Sequence, residues 1–310
     1  MTNQGYDRRL IEEATDRNKA RAMKQQHLKW IALLTMLADH IAIRFSEIGA
    51  MAVSGTAYTV LRSVGRMGFP LFCFLLCEGW KKTSDREAYL RRLLGFALIS
   101  QLPYSLFFGT AAGTAWTAKP IYLLVAVLAA AAAALLLGAK RTDTVILAAV
   151  AASLTQITGS VSGLCLFGSD LNTIYTLTLA LISFLALERF MEEHCSLRSI
   201  SRDLPAILLV FLALYQTGPR CSYGWLGILL PVMLRCTRKK KWAQLLMLAL
   251  WCSAKYLDEP AYFFGAMLSA LPILLYDGEK GKAIFSRSFF YLFYPVHLLL
   301  IFGAALLIRP

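Results

Sequence analysis

The stretch LKWIALLTMLADHIAIRF, Leu28–Phe45, reads as a helix built for lipid. Its apolar length matches the roughly 17–25 residues that cross a bilayer. Yet Asp39 and His40 stand side by side within it, and Arg44 follows one turn after His40. A charged side chain at mid-bilayer costs roughly 2.5–3.5 kcal/mol on insertion scales, so such groups usually face a cavity or a partner.

Similar apolar runs recur along the 310 residues, of which 57% are hydrophobic and 16% charged. Soluble domains carry about 25% charged residues. The composition therefore predicts an all-α, polytopic helical membrane protein. Backbone groups in lipid must be satisfied within each segment, and the alternation of a membrane β-barrel is absent. The expected spans are 28–45, 57–79, 93–109, 120–138, 144–162, 171–188, 204–217, 222–235, 242–256, 260–276 and 288–308. That makes eleven transmembrane helices, or ten, the count turning on the short segments near 204–235. Residues 1–27 form a basic cytoplasmic N-terminal segment with no cleavable signal peptide, and 28–310 form the transmembrane domain.

Net charge is +13. In this composition the positive-inside rule accounts for it before nucleic acid does. With the N-terminus cytoplasmic, the outer segments hold only Lys119, Arg220, Lys255 and Arg309 among 32 Lys and Arg. The location this asymmetry implies is a cytoplasmic (plasma) membrane, crossed many times. Seven cysteines, an odd number without Cys-x-x-Cys, read as packing residues, and no metal site is expected.

The polar groups inside the spans collect in four places. Asp39, His40 and Arg44 form the first. His40 shares a face with Arg44, whereas Asp39 lies about 100° away. A histidine can accept a proton near neutrality, so His40 is a candidate general base. VLRSVGRMGFPLFCFLLCEGW supplies Arg62 and Arg66 one turn apart, and Arg66 is a natural partner for Asp39. Gly65 and Gly68 allow close approach, and Pro70 frees the carbonyl of Arg66. LRRLLGFALISQLPYSLFFG places Arg91 and Arg92 at the inner boundary, with Gln101 and Tyr104 deeper. With Lys81 and Lys82 these arginines make a cationic patch suited to phosphates. FFYLFYPVHLLLIF carries Tyr294 and His297 in the last span. For each group a structural reading competes: an Asp–Arg lock, or a histidine satisfied by a carbonyl.

These motifs together resemble the TraX family of membrane proteins, named for the F-pilin acetylase of conjugative plasmids. The resemblance rests on Asp-His in the first span, then Gly-Arg-x-x-Phe-Pro with a downstream Glu-Gly, Gln-x-Pro-Tyr, YGWLGILLPVML and Tyr-Pro-x-His. It implies an integral-membrane acyltransferase with acetyl-CoA as donor and an amine or hydroxyl acceptor: a peptide, glycan or lipid head group. By that likeness His40 is the catalytic group with Asp39 beside it. Arg44, Arg62, Arg66, Gln101, Tyr104, Tyr294 and His297 would line the pocket or hold the oxyanion. Lys81, Lys82, Arg91, Arg92 and the run Arg238–Lys241 would meet the donor's phosphates. A proton-coupled transporter or flippase is the alternative, since it too would bury Asp, His and Arg in lipid.

Overall fold

The computed structural model describes residues 22–52, 55–109, 170–192, 219 and 221–308. Most of the N-terminal segment and the expected spans 120–138, 144–162 and 204–217 lie outside the described residues. The described residues form ten helices: α1 Gln25–Glu47, α2 Thr56–Gly65, α3 Gly68–Lys82, α4 Arg86–Gly109, α5 Thr173–Glu192, α6 Gly224–Cys236, α7 Lys241–Tyr256, α8 Pro260–Met267, α9 Ala270–Leu275 and α10 Arg287–Ile308.

The two broken helices share one cause. Proline has no N–H, so the carbonyl four residues earlier loses its partner. Pro70 orphans the carbonyl of Arg66, and there the ladder tightens, with Met67 N–H donating to Val64 O at 3.2 Å. Pro272 does the same to Leu268, where Ser269 N–H donates to Ala266 O at 3.1 Å. Hence α2–α3 and α8–α9 are each one rod with a tightened turn. By contrast α4 starts seven residues before the expected span, because its first turns are polar but helical, with Glu87 and Arg91 paired one turn apart.

Helix α1 packs against α2, α3 and α10; α4 against α5 and α10; α6 against α3, α5 and α7; α8 against α2. Glycines set the closest approaches. A Cβ on Gly65 would overlap Asp39, and one on Gly265 would overlap the backbone of Ser63. Trp80, Trp251, Phe107 and Phe184 fill the interior.

One end of the bundle is basic. There Glu188 of α5 accepts from Trp80 at 3.0 Å and pairs with Arg86 at 2.6 Å and with Arg235. The segment after α9 runs beside the start of α1: Gln25 N–H donates to Glu279 O at 2.9 Å. Lys24 pairs with Glu279 there, and that carboxylate holds the ammonium above its ordinary pKa.

The outer faces are apolar, with Leu300 67% and Leu307 89% exposed. Among the described residues, two helices are long and apolar enough to cross a membrane, Thr56–Lys82 and Ser288–Ile308. Shorter apolar helices are Thr173–Leu185, Gly224–Cys236 and Pro260–Leu275. Eight of the eleven spans expected from sequence fall within the described residues, and two of these meet that test. The physical reason is local: α1 and α4 carry charges, and the shorter helices keep only part of the needed length.

Candidate functional site

His40 sits on the inner face of α1, 8% exposed, with Phe107 and Phe108 of α4 against its ring at 5.4 and 5.8 Å. Helix α10 closes the other side. His40 Nδ1 lies 2.7 Å from Nε2 of His297, and the two rings are within 9° of parallel. His297 Nδ1 lies 2.7 Å from the carbonyl oxygen of Phe293. Phe293 stacks on the same ring at 5.0 Å, and Tyr294 meets it at 5.8 Å. Pro295 between them removes one amide from this turn and loosens it. Both imidazoles are thus buried, fixed in plane and joined.

Asp39 turns the other way. Its Oδ1 accepts from Arg62 at 2.7 Å and from Arg66 at 3.0 Å, and its Oδ2 accepts from Arg66 at 3.3 Å. Both guanidinium groups also lie over the Tyr262 ring, at 5.8 and 5.3 Å. The three charges clamp α1, the α2–α3 rod and α8. No hydrogen bond links Asp39 to His40 among the described residues. Arg44 pairs with Glu47 at 2.8 Å and lies over the Phe302 ring at 4.9 Å.

Gln101 does a different job. Its amide donates to Asp170 O at 2.9 Å, and its Oε1 accepts from Asn172 N and Nδ2 at 3.1 and 2.8 Å. Asn172 in turn accepts from Tyr175 N at 3.0 Å, capping α5. Gln101 therefore docks the start of α5 onto α4. Tyr104 packs on Phe108 at 4.6 Å and reaches Ser222 at 3.4 Å. The Tyr294 hydroxyl accepts from Thr173 N–H at 3.4 Å.

A cavity of about 410 Å³ opens at the basic end. Lys29, Lys82, Arg92 and Lys280 line it there, and among the described residues no Asp or Glu lines it, though Glu78 pairs with Lys82 at 3.4 Å. Its deeper walls are apolar and aromatic, with Leu33 and Met36 from α1 and Phe290 and Tyr294 from α10. Neither His40 nor His297 is among its lining residues; each stands further along a helix that forms one of its walls. Lys29, Leu33, Met36 and His40 recur at helical spacing, so Lys29 and His40 stand within about 20° of one face and roughly 16 Å apart along α1. On α10, Phe290 and His297 stand again within about 20° of one face, with Tyr294 one turn before His297 and about 60° from it.

Of the four cations expected to meet phosphates, Lys82 and Arg92 line this cavity; Lys81 is exposed outside it and Arg91 faces Glu87 at 3.7 Å. Lys82 also binds Tyr276 and the carbonyl of Gly278, both at 2.6 Å. Lys241, from the basic run, donates to the carbonyls of Leu274 and Tyr276 at 3.1 and 2.8 Å. Sequence reasoning missed Lys29 and Lys280. The signal for Lys29 was its register with His40; Lys280, in a connecting segment, had none.

Geometry of this kind defines a helical protein with a buried histidine pair beyond a cavity whose open end is cationic. The TraX protein family matches residues 24–168 and 161–305. The chain belongs to that family. It is 26% identical over 295 residues to "Probable fimbrial assembly protein FimC, serogroup H1" from Dichelobacter nodosus, a match covering 91% of this chain and 96% of that protein. No solved structure matches the chain.

Proposed function

We propose that the protein is an integral-membrane acyltransferase that moves an acetyl group from cytoplasmic acetyl-CoA to an amine or hydroxyl acceptor, with His40 as general base. The observation that supports this reading is the register of the two cavity walls: α1 and α10, which line a cavity with four cations at its open end, carry His40 and His297 one turn beyond its lining residues Met36 and Tyr294. Acetyl-CoA would supply an activated acetyl thioester. The lining suits such a molecule: four cations for its phosphates, of which Lys82 also pairs with Glu78 at 3.4 Å, and neutral apolar walls for its thin arm.

The residues then divide the work. Lys29, Lys82, Arg92 and Lys280 hold the polyanionic end. Leu33, Met36, Phe290 and Tyr294 exclude water from the arm. His40 takes the proton of the attacking amine or hydroxyl as the new C–N or C–O bond forms and the C–S bond breaks. Sulfur leaves as thiolate, a fair leaving group because a thiol pKa is about 8.5. Base assistance of this kind is worth about 10²–10⁴-fold. Tyr294, beside His297, would donate to the oxyanion. Arg66 is held in the clamp with Asp39, so the clamp sets the position of α1 and with it His40.

In this reading the apolar perimeter faces lipid, the basic end is cytoplasmic, and the chain is a multi-pass membrane protein. The name of the D. nodosus relative, a fimbrial assembly protein, favours an envelope peptide as acceptor. The test is CoA-thiol release from acetyl-CoA by purified protein in nanodiscs, wild type beside His40→Ala. Release that disappears in a well-folded variant supports the reading. Full release by His40→Ala refutes the role of His40, and no release or acetyl-CoA binding by folded wild type refutes the acyltransferase.

A further inference from the structure

We infer that His297 is a positioning residue which fixes the tautomer of His40 and leaves its Nε2 as the basic nitrogen. This rests on the reading of His40 as general base. The chain of partners dictates the protons. The carbonyl of Phe293 can only accept, so His297 Nδ1, at 2.7 Å, carries a hydrogen. Neutral His297 then has its lone pair on Nε2. That atom lies 2.7 Å from His40 Nδ1, a separation that needs one proton between the two nitrogens. His40 Nδ1 must supply it. The lone pair of His40 is left on Nε2, at the far side of its ring.

The same chain serves after proton transfer. Once His40 has gained a proton on Nε2, its Nδ1–H still donates to His297, and a charge-assisted bond is stronger than the neutral one it replaces. A carboxylate at position 297 would do this too. It would also bring a full charge into a wall made of Phe107, Phe108 and Phe293, where an ion loses its hydration. A second imidazole, tied to a backbone carbonyl of its own helix, supplies the acceptor without that cost. Phe293 stacked on one face and Tyr294 at the edge hold the ring in the required plane.

The test uses full-length protein in nanodiscs with ¹⁵N-labelled histidine. Nitrogen shifts of His40 report its tautomer without any need for turnover. The expected wild-type state is Nδ1–H with unprotonated Nε2. His297→Leu removes the acceptor; His40 should then sample both tautomers, and kcat should fall about 10²-fold with KM for acetyl-CoA little changed. His297→Gln returns an acceptor oxygen and should recover most of kcat. Wild-type His40 protonated on Nε2, or His297→Leu with wild-type kcat, would overturn the inference. If His297→Leu does not fold, the wild-type spectrum still decides. Should His40→Ala keep full turnover, the acyltransferase role of His40 falls, whereas the tautomer is decided by the spectrum alone.

Discussion

Lys29 and His40 stand on one face of α1, eleven residues apart, and the cavity wall made by Leu33 and Met36 fills the turns between them. A cation at the basic end and a base in the interior are thereby coupled by a single rigid element. The account of function depends on that coupling, and each part of it can be broken separately.

Removing the cation should weaken donor binding and spare the chemistry. For Lys29→Gln or Arg92→Gln the expected change is a rise in KM for acetyl-CoA of about fivefold, equivalent to roughly 1 kcal/mol for a partly exposed charge pair, with kcat nearly unchanged. Raising the salt concentration should raise the wild-type KM and narrow the gap between wild type and variant. Initial rates against acetyl-CoA concentration at two ionic strengths check both.

Filling the passage should do the reverse. Met36 is 9% exposed and lines the cavity one turn before His40. Met36→Trp is expected to cut kcat/KM at least tenfold, at a stability cost of about 1–3 kcal/mol for overpacking. Melting by intrinsic fluorescence and turnover on the same sample distinguish a blocked cavity from an unfolded protein.

The clamp predicts a stability phenotype. Asp39 faces two guanidinium groups, and loss of one partner of a buried ion pair leaves charge without compensation. Asp39→Asn should cost about 3–5 kcal/mol. Adding Arg62→Gln to it should recover part of the loss, because one orphaned charge goes with it. Thermal unfolding of the single and double variants tests this, and additive losses would count against the clamp.

Gly65 gives a steric check on the same clamp. A methyl group there would overlap the Asp39 side chain. Gly65→Ala should lower stability by about 1–3 kcal/mol, and Gly65→Ala with Asp39→Ser should lose less than the two changes measured apart.

Much of the helical layout was legible because it is local. Apolar length located α1, α3, α6, α7 and α10, and proline chemistry located the break after Gly65. The Arg66–Asp39 pairing was legible too, since a carboxylate buried by sequence needs a cation nearby. What could not be read was the meeting of His40 with His297. The residues are 257 apart, and nothing in either helix names the other. Gln101 was read as a pocket residue from its depth in an apolar run, yet it spends its amide on the turn before α5. Arg91 was chosen for phosphates because it sits beside Arg92, but neighbours in a helix face directions 100° apart, and only Arg92 reaches the cavity.

Photolabelling is the most direct test of the central claim, that the cavity delivers an acyl group to His40. An acyl-CoA carrying a small diazirine on its acyl chain would be bound to purified protein in nanodiscs, irradiated, and the labelled peptides mapped. The account predicts adducts on α1 between Leu33 and His40 and on α10 at Tyr294 to His297, suppressed by excess acetyl-CoA and lost in Met36→Trp. Saturable labelling confined to other helices, or none that acetyl-CoA suppresses, would contradict it.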